Sequence, residues 1–171
     1  ASVQLELARN DSAQGRHKAA LMKLDALIDA TPNKAQLLLF RGQTRYEALQ
    51  IEGALSDFDA AIAASPNELG AYASKALVLI AERKPDAAAG ALAAMTANNP
   101  LNFDAYARAG ELYYNMGRAA DARAAAERSL ILRPTAQVYL DRARYRLATE
   151  RVEALADIKS ALALDRSIRN L

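Results

Sequence analysis

The sequence predicts an all-α fold made of five stacked helical hairpins, and three observations predict it. First, four of the five prolines, Pro32, Pro66, Pro100 and Pro134, stand 34 residues apart. Second, other columns keep the same register. Ala20, Ala54, Ala88 and Ala122 lie 12 residues before each proline, and Ala8, Gly42, Ala76 and Gly110 lie 24 before. Leu24, Phe58, Leu92 and Ala126 lie eight before. Third, apolar residues within each repeat recur at three and four. In repeat two, Ala54, Leu55, Phe58, Ala61 and Ile62 make one helical stripe. Self-similarity at this period marks a repeat architecture in which each hairpin buries its stripe against its neighbours.

The elements follow in order. The repeats span 1–34, 35–68, 69–102, 103–136 and 137–171, read as one array over 1–171. First helices are expected near 2–14, 35–48, 69–82, 103–116 and 137–148, and second helices near 17–30, 51–64, 85–97, 119–131 and 151–165. Alanine favours helix, while Gly15 and Gly117 fall between the paired helices of repeats one and four. Ser65-Pro66-Asn67-Glu68 reads as a serine N-cap with proline in the first helical position and Glu three residues on, and Thr31-Pro32 and Asn99-Pro100 repeat the step. Pro85 falls in the first turn of its helix, where its missing N–H costs nothing.

Composition closes several functional classes. The 171 residues carry 22 basic and 20 acidic side chains, one histidine and no cysteine. Thiol chemistry, disulfides and Cys-based metal sites are excluded, and His17 alone supports neither a metal centre nor a Ser/His/Asp arrangement. Asp57 and Asp59 point to different faces of one helix and read as solvated charges. His17 reads as exposed or capping. Asn10-Asp11-Ser12 is a formal glycosylation sequon of accidental character. No catalytic residues, metal or cofactor are expected. No run of 18 apolar residues suggests membrane insertion. In Arg142-Ala143-Arg144-Tyr145-Arg146, Arg144 faces away from Arg142 and Arg146, and the repeats carry net charges of +1, −3, +1, +1 and +2. That mixed surface argues against nucleic acid. Arginine and alanine usage suggests a bacterial source. Zero cysteines suit cytoplasm and periplasm alike.

On these residues the chain resembles the tetratricopeptide repeat, whose pattern has a large residue at 4, small ones at 8 and 20, Gly at 15, a large one at 24 and Pro at 32. Repeat four matches with Tyr106, Gly110, Tyr113, Gly117, Ala122 and Pro134, and repeat two with Leu38, Gly42, Ala54, Phe58, Ala61 and Pro66. The resemblance implies a right-handed superhelical solenoid of antiparallel helix pairs. Departures are Asp11 and Arg45 at position 11, which should be bulky, with Tyr46 one residue late. Repeat five is two residues short, with the loss placed before Ala154 in the inter-helix turn and Arg166 in place of proline. Only Ser167–Leu171 stand where the family places a capping helix.

In that family the first helices line a concave groove, through positions 2, 5, 6, 9, 12 and 13. The resemblance therefore implies a partner-binding groove of Leu39, Phe40, Gln43, Tyr46, Leu77, Ile80, Arg108, Glu111 and Tyr114. The expected partner is a peptide or helix of another protein, seated on Leu39, Leu77 and Ile80. The family's clamp for chaperone C-termini is absent: Leu5, Arg9, Phe40, Gly70 and Ser74 do not match it, nor do Leu39, Gln43, Ser74, Asp104 and Arg108. The uncharged stretch 87–103, with Gly90 in mid-helix, offers a second surface, and Val152, Leu155, Ile158 and Leu162 an uncovered end; either suits a homodimer. The expected function is a non-enzymatic interaction scaffold. The alternative is a repeat region of a larger enzyme or a secretion or assembly apparatus, positioning it on its target, with self-association as one route.

Overall fold

The computed structural model describes residues 2–165. Arg166 and Ser167–Leu171, and the readings placed on them, lie outside the described residues. Among the described residues ten helices run in order: α1 Ser2–Ala13, α2 His17–Asp29, α3 Ala35–Glu47, α4 Ile51–Ala64, α5 Leu69–Ala81, α6 Pro85–Asn98, α7 Phe103–Asn115, α8 Ala119–Leu132, α9 Ala136–Arg146 and α10 Arg151–Leu164. Every helix begins and ends within two residues of its expected place. Backbone contacts gather the chain into two compact units, Ala1–Ala91 and Leu92–Leu171. In the N-terminal unit α1 pairs with α2 and α3 with α4, α2 packs on α3, α4 on α5, and the first helices α3 and α5 touch. In the C-terminal unit α7 pairs with α8 and α9 with α10, α8 packs on α9, and α7 touches α9.

The small columns are buried because helices meet there. Ala20, Ala54, Ala88 and Ala122 are wholly buried, as are Ala8 and Ala76. At Gly42 a Cβ would lie 2.6 Å from the Phe58 ring, and at Gly110 it would lie 3.2 Å from the Ala122 carbonyl. The inter-helix turns share one device. The residues with positive φ among those described are Gly15, Leu49, Arg83 and Gly117, again 34 apart. Each sits where the chain reverses, with the next amide bonding back to position 11: Arg16 to Asp11, Gln50 to Arg45, Lys84 to Leu79 and Arg118 to Tyr113, all at 2.8–2.9 Å. Leu49 and Arg83 accept a left-handed backbone that costs a side-chain-bearing residue about 1–2 kcal/mol.

Repeat five lacks this residue. Its turn closes one residue earlier, with Glu150 N–H donating to the Arg146 carbonyl at 2.8 Å. The second missing residue falls before α9, which starts at Ala136 on a Thr135 cap. Ala143, rather than Arg144, therefore takes the buried small position. The two losses thus divide between the two loops, where the sequence reading had placed both in one.

The charged residues at position 11 are structural. In repeat two Arg45 Nη1 pairs with buried Asp57 at 2.8 Å, and Arg41 grips the same carboxylate at 2.6 and 2.9 Å. Repeat five repeats this arrangement, with Arg146 at 2.8 Å and Arg142 at 2.6 and 3.0 Å from buried Asp157. Repeat one reverses the charges: buried Asp11 accepts from Lys23, and from Arg16 at 2.5 Å. Lys23 and then Arg16 hold the Asp11 carboxyl below its ordinary 3.8. The stability this adds is present above that value and is lost as pH falls through the lowered folded value. The same two places, 11 and 23, hold Leu79 and Ala91 in repeat three and Tyr113 and Ala125 in repeat four. Asp57 is therefore no solvated helix charge, whereas Asp59 is exposed and pairs with Lys75 at 2.5 Å. Tyr46 is not a residue out of step either, because Arg45 occupies position 11.

The capping reading of the proline loops is corrected. Ser65 is the extended C-cap of α4, and Glu68 caps α5, its side chain accepting from Gly70 N–H at 3.3 Å. Asn102 caps α7 in the same way at 3.0 Å, while Asn99 is buried and donates to the Met95 carbonyl at 2.9 Å. Pro66 keeps Ser65 extended, which would suit a helix start as well as an end, but α5 begins only at Leu69, so Pro66 is not its first residue and Ser65 does not cap it. Pro85 does open α6.

Two mid-helix glycines, Gly42 buried and Gly90 exposed, should respond oppositely to alanine. Gly42→Ala drives a methyl into Phe58 and is expected to cost about 1–3 kcal/mol. Gly90→Ala meets nothing within 4 Å and is expected to gain up to about 1 kcal/mol. Chemical denaturation of both variants checks the pair.

Candidate protein-binding site

In the N-terminal unit the first helices expose the side of each that faces away from its hairpin partner. A pocket of about 270 Å³ opens there, lined by Phe40, Gln43, Tyr46 and Glu47 of α3, Phe58 of α4, and Ser74, Leu77 and Val78 of α5. Its floor is Phe58 and Val78, both buried, and Leu77 stands 52% exposed over it. Gln43 Nε2 donates to Ser74 Oγ at 3.3 Å across the rim. A second pocket, of about 240 Å³, shares Phe40 and continues to Leu5 and Arg9 of α1, Leu27, Thr31 and Asn33, with Gln36 and Leu37. The Arg9 guanidinium lies 6.0 Å from the Phe40 ring centroid.

The structure brings four expected residues, Phe40, Gln43, Tyr46 and Leu77, into one pocket. Leu39 is half-buried and packs against both apolar clusters beneath α3, and its Cδ2 would be 3.0 Å from a Cβ at Gly70. Packing between repeats is its evident work. Ile80 is half-buried and lines neither pocket. Glu47 lines the first pocket, its Oε2 accepting from Ser12 at 2.7 Å and lying 3.7 Å from half-buried His17. Ser12 also meets buried Thr44 at 3.3 Å. Leu5 and Arg9 were missing from the expected set. Carrying positions 5 and 9 to repeat one finds them.

The other expected residues lie in the C-terminal unit. Arg108 and Glu111 are exposed on α7. Tyr114 is half-buried and stacks on Tyr145, centroids 4.8 Å apart and planes tilted 31°. The Arg144 guanidinium covers both rings, at 5.0 and 5.4 Å. Burial, with Asp141 beside it, pushes the Tyr145 phenol up to about 12. The arginine run divides as its spacing requires: Arg142 and Arg146 go to Asp157, and Arg144 goes to the tyrosines.

Gly90, Ala93 and Ala97 are exposed on α6. On α10 Val152 and Leu155 are exposed, while Ile158 and Leu162 are half-buried. Among the described residues no helix is long and apolar enough to cross a membrane, and no three acidic or histidine side chains cluster to hold a metal.

The different burial of the two groove leucines gives a direct check. Leu39→Ala should cost about 2 kcal/mol or more, whereas Leu77→Ser should stay within about 0.5 kcal/mol of the parent. Denaturant midpoints of the two variants measure the difference.

No family profile matches the chain, and no curated protein matches it. Solved structures do. A crystal structure of MamA aligns with a TM-score of 0.67 at 22% identity, over 96% of this chain and 97% of that one. TTC0263, a thermophilic TPR protein of Thermus thermophilus, aligns with a TM-score of 0.61 at 24% identity, over 99% and 95%. MamA 41-end from Desulfovibrio magneticus RS-1 aligns with a TM-score of 0.65 at 21% identity, over 97% of each chain. With ten helices among the described residues, those of the first four repeats in the 34-residue register, the chain has the tetratricopeptide-repeat fold.

Proposed function

We propose that this chain is a non-enzymatic scaffold that binds a peptide or helix of another protein in the groove of its first helices. The observation that carries the reading is the pocket between α3 and α5, where Leu77 stands half out of water over an apolar floor. Concave apolar pockets with a few polar rim groups are the usual form of a recognition site, and aromatic anchors dominate such interfaces. Phe40 joins this pocket to its neighbour, so an extended segment or a helix could seat two successive side chains on either side of it. Arg108 and Glu111 are proposed as further contacts on α7, with Tyr114 held by Tyr145.

The test captures the partner from the native host with the parent chain, Leu77→Glu, Tyr46→Ala and Arg108→Glu. Leu101→Glu serves as a control, since Leu101 is 81% exposed in a loop outside the pockets. The expected result is loss of capture with Leu77→Glu and Tyr46→Ala, weakening with Arg108→Glu, and retention by the control, at unchanged melting temperatures. Equal capture by the parent and the pocket variants would contradict the groove.

A further inference from the structure

The pocket between α3 and α5 has a chemistry that narrows what it takes. Resting on the groove reading above, we propose that it receives an arginine side chain of the partner. Of the eight residues lining the pocket, Glu47 alone is charged. Ser12 and His17 both approach its Oε2, and among the described residues no hydrogen bond or ion pair engages Oε1. Gln43 has one N–H of its side-chain amide committed to Ser74, and its carbonyl oxygen is a second acceptor at the rim. Below these acceptors the walls are the rings of Phe40 and Tyr46, and the floor is apolar.

A guanidinium is the group that meets all of this. It has five N–H donors and no acceptor, it is planar and weakly hydrated, and it stacks on aromatic faces. Its three-carbon stem would cover Leu77 while the head reaches Glu47. An acidic side chain would meet the Glu47 carboxylate with only neutral donors, the second Gln43 N–H and the Ser74 hydroxyl, against the repulsion, and a purely apolar one would leave both acceptors without a donor in a partly dried pocket. The chain already uses the same pairing on itself, with Arg9 over Phe40 and Arg144 over Tyr114.

The test titrates the full ¹⁵N-labelled chain with acetyl-Leu-Arg-Leu-amide, and separately with the same tripeptide carrying citrulline, which keeps the length and planarity but not the charge. Saturable shifts are expected at the amides of Gln43, Tyr46, Glu47 and Leu77, with the arginine peptide bound about fivefold more tightly at low salt. Glu47→Gln keeps an acceptor for Ser12 and should bring the arginine peptide down to the citrulline level without moving the melting temperature. Equal binding of the two peptides in this pocket would overturn the arginine assignment and leave the groove standing. Shifts confined to other surfaces would overturn both. Absence of binding by either peptide at millimolar concentration would overturn the arginine assignment.

Discussion

A missing side chain at Gly42 lets α3 settle against Phe58, and the rest of the N-terminal unit is arranged around that contact. With a Cβ only 2.6 Å from the ring, any larger residue would push the two helices apart. The contact also fixes how α3 is rotated. At 3.6 residues per turn, Leu38, Arg41 and Arg45 fall to one side of Gly42, while Gln43 and Tyr46 fall to the other. The first side closes over α4 and the core. The second is left facing the groove. Packing at one small residue therefore decides which side chains are spent on stability and which remain for binding.

That division explains the distribution of charge. The charges nearest the hairpin interior neutralise one another: Asp11 with Lys23, Arg45 with Asp57, Arg146 with Asp157. In repeats one, two and five positions 11 and 23 face each other across the hairpin with opposite charges in either order, and in repeats three and four they hold an apolar residue and alanine. They do not tolerate a lone charge, because a buried carboxylate without its cation keeps its desolvation cost and loses its compensation. A sequence reader seeing Asp11 and Arg45 where the family has bulk meets two apparent defects. Each is one half of a pair whose other half stands 12 residues on.

Much of the fold was legible because it is written in periods: the prolines, the small columns and the helix stripes all repeat. What escaped depends on contacts that no period encodes. Ser65 looked like an N-cap because serine, proline and glutamate stand in that order, yet α5 starts three residues past the proline, at Leu69, and Glu68 caps it. The shift of α9 by one residue left only an indirect trace, since the strict 34-residue spacing puts Arg144 where a small residue belongs; the burial of Ala143 shows the register. For the site, family positions brought together Phe40, Gln43, Tyr46 and Leu77, because they share one side of adjacent helices. They could not separate Leu39, which fills the space above Gly70, from Leu77, which stays exposed. Tyr114 presented the same ambiguity, since its partner Tyr145 belongs to another repeat.

The most direct test of this account is a double-mutant cycle on Arg45 and Asp57, using Arg45→Leu, Asp57→Ala and the pair together, which writes the residue types of repeat three into repeat two. Arg41 also pairs with Asp25, at 2.7 Å, and neither substitution removes that partner. The account predicts that Asp57→Ala is the most damaging single change, and that the double variant is more stable than the sum of the singles by about 1 kcal/mol or more. Free energies that add within about 0.5 kcal/mol would contradict it, because positions 11 and 23 would then not act as one contact.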